Sequence, residues 1–183
     1  MGNKVNISHG FFILGSLALL LLPLRWLIGA LLAAMVHELF HCIAVIAFGG
    51  QVLSLSLGVF GAKIEVSPMS PGREALCALA GPAGSFSMLL IARHFPETAL
   101  CGLIQGAYNL LPLYPLDGAR VLQYLLPEAA CFGIGIFSIV FISGLGIWIL
   151  TYNFEIGLIA LLSVWIPLLL RKISCKAHGL AVQ

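Results

Sequence analysis

Charge is what this sequence has least of: 9% of its 183 residues are Asp, Glu, Lys or Arg, while 61% are hydrophobic. A soluble globular domain carries roughly 25% charged and 45–50% apolar residues, so this chain could not cover a water-facing surface. That excludes a soluble enzyme, and also a disordered chain, which needs low hydrophobicity and high net charge. The net charge of +2 is too small to hold a polyanion, so nucleic acid is excluded as a partner. Paired cysteines are lacking too. Cys42, Cys77, Cys101, Cys131 and Cys175 form no CxxC and lie mostly in apolar runs, so they read as small buried hydrophobes and not as a disulfide frame or metal knuckle. No repeat appears, and no loop is long enough to hold a soluble domain. The expected solvent is the lipid bilayer, and the expected organisation is one membrane-embedded domain over 1–183.

Long apolar runs are what the chain does have. A spanning helix needs about 20 mostly apolar residues, and six candidates are present, which predicts an all-α polytopic membrane protein. They lie at about 6–24, at Trp26–Phe48, between Arg73 and Arg93, at Thr98–Tyr114, at Ala129–Thr151 and at Ile156–Leu170. A signal peptide is the rival reading of the first, disfavoured because no small-x-small cleavage site precedes Arg25. With both termini cytoplasmic, Lys4, Lys63, Arg73, Arg120, Arg171, Lys172 and Lys176 fall inside and only Arg25 and Arg93 outside, the orientation that the positive-inside rule favours. Two segments are not spans. Residues 51–66 alternate apolar and polar around Gly58 and Gly61, the pattern of a β-hairpin. Residues 118–126 read as a short amphipathic helix.

The few polar residues then stand out. His37-Glu38-Leu39-Phe40-His41 is an HExxH sequence inside the second apolar run. Residues four apart share a helical face, so both imidazoles can reach one metal ion, and Glu38 lies beside that face where it can take a proton from water. Two core histidines and a stray glutamate are the bland alternative, but ionisable groups inside a membrane helix are costly and usually functional.

Two histidines leave a catalytic zinc short of one protein ligand if a further position is kept for water. Asp117, the only Asp in the chain, is the natural candidate. It follows Asn109-Leu110-Leu111-Pro112-Leu113-Tyr114-Pro115-Leu116, where two prolines break the helix and Gly118 allows a sharp turn. The competing role for Asp117 is as a cap of the helix that follows.

Together these motifs resemble the site-2 protease class of intramembrane zinc metalloproteases, whose signatures are HExxH in one membrane helix and N-x-x-P with LDG in a later one. The chain carries them as HELFH and NLLPLYPLDG, and the resemblance covers about residues 26–127. It implies a three-helix catalytic core, one Zn2+ per chain held by His37, His41 and Asp117, Glu38 as general base, and Asn109 assisting at the substrate carbonyl or in positioning. The family often carries G-P-x-x-N in its middle helix. Here the sequence is Gly81-Pro82-Ala83-Gly84-Ser85, with serine for asparagine, and the small residues read as a surface for close helix approach.

The resemblance implies hydrolysis of peptide bonds in transmembrane or membrane-associated protein substrates near the cytoplasmic leaflet. Such a substrate must unwind first, and hairpin 51–66 could hold it by strand addition or only shape the core. The chain has room for neither a PDZ nor a CBS domain. Its compact form is most similar to the branch with the sporulation protease that releases a sigma factor, which implies a bacterial cell membrane and control by a regulatory membrane protein. Two other readings are weighed: a prenyl-protein or heat-shock type metalloprotease, which needs a later Glu ligand that has no counterpart here, and a transport or scaffold protein with a vestigial metal site. Oligomeric state has no signal in the sequence.

Overall fold

The structure, a computed structural model, describes residues 4–7, 22–58, 61–113 and 115–152, with single positions at 12, 16, 19, 20, 154, 158, 161, 162 and 165. Of the expected span 6–24, Asn6 and Ile7 belong to a strand and Leu24 to the next helix, while most of its remainder, most of 156–170, and His9, Glu155, Cys175 and His178 lie outside the described residues. The described chain is mostly helical and falls into two compact units that meet in sequence at Pro127 and Glu128.

The first unit begins with strand β1 (Lys4–Ile7), followed by helix α1 (Leu24–Ala47), the hairpin β2 (Val52–Gly58) and β3 (Gly61–Val66), and helix α2 (Pro71–Ser87) with a 3₁₀ turn at Met88–Ile91. Helix α3 (Pro96–Asn109) and the short helix α4 (Asp117–Leu125) complete it. The alternation read in 51–66 does form a hairpin: Leu55 pairs with Ile64 and Ser56 with Lys63, antiparallel. Ser54 Oγ donates to Glu65 Oε2 across the pair at 2.8 Å. β1 adds in parallel to β2, so the hairpin is part of a three-stranded sheet in the order β1-β2-β3. The periodicity of 51–66 could not show this, because the partner strand lies some 50 residues upstream in a short polar segment.

Helix α1 ends in a Schellman arrangement. Gly50 N–H donates to Val45 O at 2.8 Å and Gly49 N–H to Ile46 O at 3.0 Å, with Gly49 at φ 79°. Arg73, from α2, donates to the Phe48 carbonyl at 3.2 Å, satisfying another C-terminal acceptor.

α1, α2 and α3 pack on one another, and α4 lies against α2. The core they share holds small side chains: Ala33, Val45, Ala75, Cys77, Ala78, Ala99 and Ala119. The large apolar residues of α1, among them Leu31, Leu32, Met35, Leu39, Ile43 and Ile46, face outward. In water this would be an inverted protein. In lipid it is the expected order, because hydrocarbon is as apolar as leucine and helices associate through close packing of small residues. Gly84 sits against the Phe40 ring, and Gly29 lies against the α3 backbone at Thr98.

Among the described residues, three helical stretches are long and apolar enough to cross a membrane: Leu24–Ala47, Pro71–Ile91 and Glu128–Leu150. These agree with the second, third and fifth expected spans. The expected fourth span, 98–114, is a helix of 14 residues, Pro96–Asn109. At 1.5 Å per residue it is about 21 Å long, short of the roughly 30 Å hydrocarbon core. Pro96 starts it at its first turn, and the broken segment around Pro112 ends it, so apolar content overstated its length.

The second unit is described through helix α5 (Glu128–Leu150). Phe137 and Phe141 stack one turn apart, and Trp148 meets Tyr152 edge-on at its end.

Two glycine substitutions separate backbone strain from packing. Gly49→Ala should lower stability in detergent by about 1 kcal/mol through its positive φ alone, since nothing lies within 4 Å of the added Cβ. Gly84→Ala would bring a methyl to 2.5 Å from Phe40 Cγ. It should cost about 1–3 kcal/mol and also weaken metal binding, because Phe40 adjoins His41. Denaturant unfolding and zinc retention of both variants test this.

Candidate metal centre

The buried residues of α1 include Gly29, Ala33, His37 and Val45, each four or eight positions from the next. His41, half-buried, fills the missing step of that stripe. On α2, Cys77, Gly81 and Ser85 form a second buried stripe at the same spacing. The two stripes face each other in antiparallel sense: His37 meets Ser85 while His41 meets Cys77 and Gly81. The HExxH sequence is therefore read out on the helix face that lipid cannot reach.

The three expected metal-binding side chains converge. His37 Nε2 and His41 Nε2 lie 3.2 Å apart, and each is 3.2 Å from Asp117 Oδ2. The rings sit edge to face, with centroids 4.8 Å apart. His37 is 3% exposed and Asp117 7%. Among the described residues this is the group of His, Cys, Asp and Glu able to hold a metal ion.

The surroundings decide which imidazole nitrogens carry protons. His41 Nδ1 is 2.7 Å from the Cys77 carbonyl. A carbonyl only accepts, so Nδ1 carries the proton and, in the neutral ring, Nε2 presents a lone pair. His37 Nδ1 is 2.8 Å from Ser85 Oγ. With both rings in this form, two nitrogen lone pairs and a carboxylate oxygen point at one another, which is favourable only around a cation. Ligands at zinc bond lengths in a tetrahedron stand about 3.3 Å apart, close to the observed triangle. The borderline N2O donor set and its burial suit zinc. Three protein ligands leave a position for water or substrate, the open arrangement of catalytic zinc sites.

Asp117 reaches this point because the chain between α3 and α4 is irregular. Leu113 N–H donates to Leu111 O, and Leu116 N–H to Leu113 O, each at 2.8 Å. Gly118 lies against the Leu110 and Leu111 carbonyls, where a Cβ would collide with backbone. Its role is close approach and not unusual dihedrals, since among the described glycines only Gly49 has positive φ. Asp117 is the first residue of α4, and the helix start, at Leu116, has no side-chain capping hydrogen bond. The carboxylate is turned toward the imidazoles.

Glu38 is half-buried on the neighbouring face of α1. Both imidazoles, Asp117 and the exposed Arg120 act on it electrostatically. Asn109 ends α3, and its amide donates to Gln105 O one turn back at 3.2 Å, so its contact here is local to its own helix. His94 is exposed in the turn after the 3₁₀ segment.

Three contributors were not singled out as site residues by sequence: the Ser85 hydroxyl, the Cys77 carbonyl and Gly81. A Cβ on Gly81 would occupy the place of His41 Nε2, the atom aimed at the metal position. One signal was available, the four-residue spacing of Cys77, Gly81 and Ser85 in an otherwise apolar helix. A backbone carbonyl, by contrast, leaves no mark on a sequence.

No family model matches the chain. It is 26% identical over 110 residues to a zinc metalloprotease of Methanocaldococcus jannaschii, covering 52% of this chain and 32% of that protein. It is 26% identical over 139 residues to stage IV sporulation protein FB of Bacillus subtilis, covering 68% and 48%. Among solved structures, a site-2 protease from Methanocaldococcus jannaschii shares the fold with a TM-score of 0.60 at 19% identity, over 90% of this chain and 89% of that one. The chain spans between a third and a half of the length of the curated relatives it matches. Fold and site together define a helical integral membrane protein with a candidate metal centre built on an HExxH helix. Its fold is that of the Methanocaldococcus jannaschii site-2 protease, and its sequence is similar to zinc metalloproteases.

Gly81→Ala is the sharpest test of the helix contact at the site. It should remove zinc at concentrations that saturate the wild type while leaving helical circular dichroism intact, because the new methyl displaces a donor atom and not a buried apolar side chain.

Proposed function

We propose that the protein is an intramembrane zinc endopeptidase that hydrolyses peptide bonds of transmembrane or membrane-associated protein substrates. The observation that carries this reading is the buried triangle of His37, His41 and Asp117, with Glu38 half-buried beside it. These three residues would hold one zinc ion, which supplies Lewis acidity to a water and to the scissile carbonyl.

The remaining steps belong to the chain. Glu38 accepts a proton from the attacking water and delivers it to the leaving amine. Cys77 O keeps the Nδ1 proton of His41 in place, so Nε2 stays free. Asn109 would turn from Gln105 toward the substrate carbonyl as the substrate enters. Arg120, one turn beyond Asp117, adds positive charge on the side of Glu38. A helical substrate offers no free peptide bond, so it unwinds before cleavage, and the edge of β3 that faces away from β2 is the hairpin edge against which an extended segment can be held.

The finer reading follows the charge distribution. With both termini cytoplasmic and the short α3 still carrying the chain across, the HExxH end of α1 and Asp117 would lie toward the cytoplasmic leaflet of a bacterial cell membrane. Release of a cytoplasmic regulatory domain, such as a sigma or transcription factor, is the corresponding biological role. Stage IV sporulation protein FB among the relatives supports the sporulation branch as the place to look for a substrate. Control then rests with a separate membrane protein or with substrate supply.

Reconstitution in liposomes with a single-span substrate tests the chemistry. Glu38→Gln should keep zinc and lose cleavage by about 10²–10⁴-fold, the usual contribution of a positioned acid–base group. Cleavage by this variant at the wild-type rate would show that Glu38 is not the base. Asp117→Asn should weaken zinc binding in an equilibrium competition with a chelator. Unchanged zinc affinity would return Asp117 to a capping role.

A further inference from the structure

Ser85 stands where the family usually has asparagine, and it is the most completely buried polar side chain among the described residues, at 0% exposure. A buried hydroxyl in an apolar setting is unfavourable unless it is hydrogen-bonded. Its side-chain partner is His37 Nδ1, at 2.8 Å. The backbone around it is clamped: a Cβ on Gly102 of α3 would meet the Ser85 carbonyl at 2.6 Å, so α2 and α3 are in close contact at this residue. Ser85 is therefore held between α1 and α3 with its hydroxyl aimed at the first histidine.

We propose that Ser85 is the positioning residue of the metal centre. Its Oγ accepts the Nδ1 proton of His37, which fixes the ring orientation and leaves Nε2 as the donor to the ion. The proposal rests on the zinc reading given above. It assigns the two histidines different supports, a side-chain hydroxyl for His37 and the Cys77 backbone carbonyl for His41. Such supporting hydrogen bonds set ligand orientation and basicity. A hydroxyl does so without adding charge, so among the described residues Asp117 remains the anionic corner of the ligand triangle. The absent asparagine is thus no missing part: the shorter side chain makes the contact that the close helix approach leaves room for.

The test is zinc affinity of the full chain in detergent, by competition with a chelator, together with the visible spectrum of the cobalt-substituted protein. Ser85→Ala should weaken zinc binding by about 10–100-fold and alter the cobalt spectrum, and Ser85→Thr should restore most of both. Ser87→Ala is the control in the same helix: its hydroxyl donates to Gly84 O at 2.6 Å, and its loss should leave the metal untouched. Wild-type zinc affinity and spectrum in Ser85→Ala would overturn the proposal. Equal weakening by Ser87→Ala, or a folded Ser85→Thr that restores nothing, would also overturn it by showing a general effect on the helix. A wild-type chain that binds no zinc would instead overturn the metal reading, and this proposal with it.

Discussion

Two imidazole nitrogens and a carboxylate oxygen stand 3.2 Å from one another in the low-dielectric interior of a membrane protein. With a lone pair on each nitrogen such a cluster is repulsive unless a cation lies among them, and ionisable groups at membrane depth are costly in any case. Much else in the first unit can be understood as what holds these three atoms together. The stripe on α1 aligns the histidines, the stripe on α2 receives them, and the irregular segment before α4 returns the aspartate to the same point.

Close packing is the means. Bulky side chains between α1 and α2 would move the imidazoles away from Cys77 O and Ser85 Oγ, so the shared core is built of alanine, glycine and serine while leucine and isoleucine face lipid. Gly81 is the extreme case, since its lack of a Cβ leaves the space in which a histidine nitrogen sits. The same economy explains why Pro82 is tolerated inside α2. It is fully buried, and the packed neighbours hold the helix where its own ladder has lost a donor.

The short α3 and the broken chain after it belong to the same design. Irregular backbone at membrane depth is acceptable only where protein buries it or a polar cavity receives it. Local bonds from Leu113 and Leu116, and the contact of Gly118 with the Leu110 carbonyl, satisfy that condition. A longer, regular α3 would carry Asp117 past the histidines.

Much of this was legible in advance. HExxH spacing, the single Asp after a proline-broken helix, the alternation in 51–66 and the membrane character of the chain all depend on local residue types, and local pattern carries them. What local pattern could not carry was distance. It overstated α3, because hydropathy does not register where a helix stops. It missed β1 in the sheet, because strand partners are chosen across the fold. It treated Ser85 as a lost asparagine, when the hydroxyl meets His37. The sequence by itself determined the solvent, the helices that bear the site and the donor atoms. Only the tertiary structure decided that those donors meet at one point and which groups support them, because convergence is a property of packed helices and not of the order of residues along one.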